Sequence, residues 1–158
     1  GPVAVRYPRG SAFDEYQKCR EPVRFGKSES IVEERDIALF SVGHMFEVAL
    51  KVRERLKAEG FGCSLVNARF IKPLDEECIR GLSKNHRLIA VIEENVASGA
   101  CSQRVQECVS SGNLPVKVLS CALPDQYVEH GSVDVLRKET GIDEESLTYR
   151  IIETYGEL

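Results

Sequence analysis

The sequence predicts an α/β fold of three layers, a mostly parallel sheet with helices on both faces, and three observations carry that prediction. Beyond about residue 30, short apolar runs alternate with amphipathic segments, the order that βαβ units produce. The runs are nearly continuous rather than alternating in polarity, as expected of strands covered on both faces. The chain has 158 residues, 42% of them hydrophobic and 29% charged, enough to bury one sizeable core.

The first predicted strand is Asp36 to Val42. Met45, Val48, Ala49, Val52 and Leu56 then recur at helical spacing, with Glu47, Lys51, Glu54 and Lys57 on the opposite face and Gly60 as the stop. The second strand, Cys63 to Phe70, carries a fixed cation, Arg69, inside its apolar run. Leu74, Cys78, Ile79 and Leu82 mark a short helix beginning near Pro73, where the first helical amides lack internal partners and a proline is tolerated. Leu88 to Ile92 is the third strand, and Cys101, Val105, Cys108 and Val109 mark the helix after it. Val116 to Leu119 is the fourth strand. Ser132 and Asp143 are predicted helix caps, the latter for a helix burying Leu147, Ile151, Ile152 and Tyr155.

Residues 1–30 stand outside this alternation. They are charged and broken by Pro8, Gly10, Pro22 and Gly26, so residues 11–30 read as a linker. Val3 to Val5 read as the end of a strand belonging to a neighbouring domain, and the chain is expected to be a fragment of a larger protein.

Composition excludes several functions. The net charge is -4 with both signs scattered, which offers nucleic acid no basic stripe. No apolar run reaches the roughly 20 residues of a membrane span, and no signal peptide is recognisable; a cytoplasmic protein is expected. Cys19, Cys63, Cys78, Cys101, Cys108 and Cys121 include no Cys-x-x-Cys pair, so most of them read as reduced core residues and no metal site is expected.

Ligands of open α/β sheets gather at the carboxyl ends of the strands. Gly43 and His44, Arg69, Glu93 to Asn95, and the Cys121 to Pro124 loop map there. Arg69 reads either as a structural arginine with a packed stem or as an anion ligand, since a guanidinium offers paired donors to phosphate or carboxylate. Arg6 and Arg9 form a second cationic cluster, either a solvated linker pair or part of the same clamp. One of Glu93 and Glu94 is expected in solvent and the other on nearby backbone, with acid–base chemistry as the alternative. His86, after a turn, is expected to face solvent; His44 and His130 stay open between structural and contact roles. Neither a Gly-x-Gly-x-x-Gly fingerprint nor a Gly-Lys-Ser/Thr phosphate loop occurs.

Five stretches, RYPRG, VNARFIKPLDEE, VIEENVASGA, LPDQYVEHGS and TGID, occur in this order. Together they resemble the C-terminal part of the 1-deoxy-D-xylulose-5-phosphate synthases, members of the transketolase-like thiamine diphosphate enzymes. The resemblance implies a transketolase C-terminal domain over residues 31–158, with residues 1–10 ending the preceding pyrimidine-binding domain. It implies a homodimeric transferase that condenses pyruvate with glyceraldehyde 3-phosphate and releases CO2, feeding isoprenoid, thiamine and pyridoxal synthesis. Thiamine diphosphate and Mg would be bound by the full-length enzyme but not by this fragment, which lacks a Gly-Asp-Gly stretch and is expected to be inactive alone. Arg69 and Arg6 match the family's acceptor-phosphate ligands, with Arg9 in support, and Arg69 is expected to point into the active-site cleft. Where the family carries two adjacent glycines after EEN, this chain reads Ser98, Gly99, Ala100. The rival readings are the equivalent domain of a transketolase or of a 2-oxoacid dehydrogenase β subunit, or a non-catalytic interaction module.

Overall fold

A computed structural model describes residues 1–5, 7 and 21–158. Its five strands are β1 (Glu29–Val32), β2 (Asp36–Ser41), β3 (Cys63–Asn67), β4 (His86–Val96) and β5 (Lys117–Leu123). Five helices accompany them: α1 (Phe46–Ala58), α2 (Glu76–Leu82), α3 (Cys101–Ser111), α4 (Val133–Thr140) and α5 (Glu144–Gly156). The sheet order is β1-β3-β2-β4-β5. Only β1 runs antiparallel, against β3; the others pair in parallel.

The three layers follow from which side chains each face buries. On one face Ile37, Leu39, Leu65 and Ile92 pack with Val48, Val52 and Leu56 of α1 and with Leu147 and Ile151 of α5. On the other, Ala38, Phe40, Val66 and Val91 pack with Ile79 of α2 and with Val105 and Val109 of α3. Successive strand residues therefore serve opposite cores, and both sets must be apolar. Cys63, Cys101 and Cys121 are buried in these cores as free thiols. Burial pushes each of the three up to about 12, so they behave as small hydrophobes rather than nucleophiles.

Charged side chains tie the helices to the sheet margins. Glu34, between β1 and β2, accepts from Lys57 Nζ at 2.8 Å, from Arg53 Nη2 at 2.8 Å and from the Cys63 amide at 2.7 Å. The Lys57 hydrogen bond is the largest influence holding this carboxyl below its usual range. Asp143 caps α5, its Oδ1 accepting from the Glu145 and Ser146 amides. Burial alone would raise its pKa, but hydrogen bonds from Ser146 and Glu145 outweigh that and hold the carboxyl below its ordinary 3.8. A depressed folded-state pKa contributes stability above the unfolded value and loses it as pH falls through the folded one. Asp143→Ala is accordingly expected to destabilise the domain by about 1 kcal/mol at neutral pH. Thermal melts should show that difference shrinking below pH 4, approximately the unfolded-state value.

Several expectations are corrected. β3 stops at Asn67, leaving Arg69 beyond the strand. The reason is local: Asn67 Oδ1 accepts the Arg69 amide at 3.2 Å, and Arg69 turns to φ +53°. Pro73 does not open α2. The helix starts at Glu76 because Asp75 caps it, accepting from the Cys78 amide at 3.2 Å and also from the Ser28 amide at 2.8 Å. β1 begins at Glu29, inside the span 11–30 expected to be a linker. Gly26 closes the turn before it at φ +71°, and a Cβ there would lie 2.8 Å from Pro73 Cγ. His86 is buried, not solvent-facing. β4 begins at this residue, and its ring bridges the Leu82 carbonyl through Nδ1 and the Ser64 hydroxyl through Nε2, each at 2.8 Å. A carbonyl only accepts, so Nδ1 carries the proton of the Leu82 bond, while the Ser64 hydroxyl lies within reach of both Nε2 and the Glu34 carbonyl. Ser132 begins α4 without a side-chain cap bond.

Candidate functional site

Among the parallel strands, β3 lies on one side of β2 and β4 and β5 lie on the other, so the winding direction switches between β2 and β4. Loops diverge at such a point and leave a crevice at the carboxyl edge. Gly43, at φ +59°, turns the chain out of β2 into a short 3-10 turn, Gly43–Met45, that carries His44 to this edge. His44 Nε2 pairs with Glu94 Oε2 across the switch. Arg137 of α4 meets the other Glu94 oxygen at 3.3 Å. Beside this trio a mostly apolar cavity of about 220 Å³ is lined by Leu123, Val128, Val133, Leu136 and Ile142.

Glu93 and Glu94, adjacent in sequence, have opposite environments. Glu93 is fully buried. Its carboxylate accepts from the Cys101 amide at 3.0 Å, the Ser102 amide at 2.8 Å and Asn95 Nδ2 at 3.1 Å. Ala100 stands at the N-cap of α3 and provides no side-chain acceptor, so a carboxylate from the neighbouring strand does that work. Charge near a helix N-terminus suits the helix dipole. The expected backbone contact is thus made by Glu93, but Glu94 is half-buried and ion-paired rather than solvated.

Arg69 stands just past the carboxyl end of β3, where Phe70 N–H donates to the Ala68 carbonyl at 2.5 Å. A positive φ at a non-glycine residue is uncommon and is often found where surrounding structure imposes an orientation. Its side chain is mostly buried, at 13% exposure. Nη2 makes a 2.6 Å ion pair with Glu29 and donates to the Glu21 carbonyl at 2.9 Å. Nη1 reaches the Pro22 carbonyl at 3.4 Å. The guanidinium is therefore held by protein oxygens rather than extended into open space. Arg6 and Arg9 lie outside the described residues, and so does Cys19. His130 is exposed on the loop before α4.

Sequence reasoning missed Glu29. Its only local signal is a position just before the apolar pair Ile31 and Val32, the core of a short edge strand. Among the described residues, no group of three or more His, Cys, Asp or Glu side chains is placed to hold a metal ion, and no helix is long and apolar enough to cross a membrane.

Residues 26–147 match the family model described as the C-terminal domain of transketolase. The chain is 38% identical over 157 residues to the 1-deoxy-D-xylulose-5-phosphate synthase of Lachnoclostridium phytofermentans, covering 99% of this chain and 25% of that protein. It is 40% identical over 147 residues to the synthase of Desulforudis audaxviator, covering 90% of this chain and 23% of the relative. The chain thus spans about a quarter of the length of the curated relatives it matches. In backbone it is similar to a split-gene transketolase described as an inactive β4 tetramer, with a TM-score of 0.78 at 21% identity over 85% of this chain and 44% of that one. A transketolase from Campylobacter jejuni gives a TM-score of 0.57 at 15% identity over 81% of this chain and 18% of its own.

Proposed function

Because the chain belongs to the transketolase C-terminal domain family, we propose that it is the C-terminal domain of a 1-deoxy-D-xylulose-5-phosphate synthase. The full-length protein would condense pyruvate with glyceraldehyde 3-phosphate, releasing CO2. The observation that carries this reading is the 38% identity to such a synthase across 99% of the chain. The transketolases, by contrast, share the fold at 21% identity or less.

In this reading the domain's contribution is to bind the acceptor. Arg69 takes the acceptor phosphate, with Arg6 as a second ligand and Arg9 in support. A phosphate remote from the reacting carbon gives a binding handle, and its fixed position orients the aldehyde. The guanidinium suits this work because it stays charged and presents donors in one plane. Its position at the carboxyl edge of the sheet supports the assignment.

Thiamine diphosphate supplies the carbanion chemistry of such enzymes when bound. Among the described residues no group of three or more His, Cys, Asp or Glu side chains is placed to hold a metal ion, and the sequence has no Gly-Asp-Gly stretch. Cofactor and Mg belong to the rest of the protein in this proposal, the protein is a cytoplasmic homodimer, and this domain alone is inactive.

The test is turnover by the full-length protein with thiamine diphosphate and Mg. Pyruvate and glyceraldehyde 3-phosphate should yield CO2 and the five-carbon product. Turnover of a ketose phosphate donor, with none of pyruvate, would move the domain to a transketolase.

A further inference from the structure

We propose that Glu29 is the positioning residue for Arg69, setting the guanidinium where the acceptor phosphate meets it; this rests on the reading of Arg69 as a phosphate ligand. Glu29 is a nearly fully buried carboxylate, its side chain 4% exposed, in an edge strand whose other residues are exposed or half-buried. A buried carboxylate is costly unless it is paired and hydrogen-bonded. Here one oxygen meets Arg69 Nη2 at 2.6 Å and the other accepts the Glu21 amide at 3.0 Å.

Glu29 also stands directly opposite Asn67 in the β1–β3 pairing. Asn67 fixes the backbone of Arg69 through its amide, and Glu29 fixes the far end of the side chain. One cross-strand pair therefore sets both ends of a long, flexible residue. An arginine released from that hold must be ordered again at each binding event, which weakens the bound state. The same carboxylate ties down Glu21, so the connector entering the domain and the phosphate ligand share one anchor.

The test uses the full-length protein with glyceraldehyde 3-phosphate and with phosphate-free glyceraldehyde as alternative acceptors. Glu29→Ala is expected to raise KM for the phosphorylated acceptor about tenfold, with kcat and the phosphate-free acceptor little changed. Glu29→Gln keeps an acceptor oxygen for the guanidinium and should recover most of the loss. Adding Glu29→Ala to Arg69→Ala should bring no further change, because Glu29 acts through Arg69. If Glu29→Ala does not fold, Glu29→Asp, which withdraws the carboxylate by one methylene, should give a smaller rise with the same selectivity for phosphate. Unchanged phosphorylated-acceptor KM in the folded Glu29 variant, or equal rises for both acceptors, would overturn the positioning role. The underlying reading fails separately, if Arg69→Ala itself leaves the phosphorylated acceptor unaffected.

Discussion

Arg69→Ala in the full-length protein is expected to lower kcat/KM for glyceraldehyde 3-phosphate by roughly one to two decades, chiefly through KM, with thiamine diphosphate binding little changed. The loss corresponds to a charge-assisted hydrogen-bonding contact of about 1.5 to 3 kcal/mol. The substitution has a second consequence, because Glu29 remains behind as a buried carboxylate without its cation. Breaking such a pair from one side costs on the order of 3 kcal/mol of stability. The two effects separate cleanly. A thermal melt reads the second, whereas only the phosphorylated acceptor reads the first. A fall of the same size with phosphate-free glyceraldehyde would assign Arg69 to the scaffold. Arg69→Lys should also be impaired, since an ammonium cannot reproduce the planar donors of the guanidinium.

Glu93→Ala is expected to destabilise the domain by on the order of 3 kcal/mol, because it strips the acceptor from two α3 amides and from Asn95 in a buried site. For a domain of this size that lowers Tm by about 10 °C. The neighbouring substitution Glu94→Ala is the control. Glu94 is 29% exposed, and partly exposed ion pairs contribute under about 1 kcal/mol. Differential scanning calorimetry of the two variants decides the matter: equal losses would mean that Glu93 is not the cap of α3.

Much of this architecture is legible because periodicity is local. The apolar runs at 36–42, 63–70 and 88–92 each contain a strand, although the second stops at Asn67, and the helical spacing from Met45 gave the buried face of α1. Asp143 reads as a cap from residue type and position alone, and it caps. Arg69 stood out because a cation interrupts an apolar run, a signal needing no knowledge of distant residues. His86 was misread for the complementary reason. Its burial depends on Ser64, 22 positions earlier, and nothing beside it in the chain announces that partner.

By itself, then, the sequence determined the four parallel strands, the two-faced burial of those strands and the candidacy of Arg69, since each depends on residue type and on spacing within one or two turns. The tertiary structure alone decided that β1 closes the sheet edge antiparallel to β3, that Glu93 caps α3 from β4, and that Glu29 holds Arg69. Those are pairings between elements. Their partners are chosen by where the chain returns to the sheet, and that return is driven by burial of both faces, which specifies which surfaces must meet but not which polar side chains they bring together.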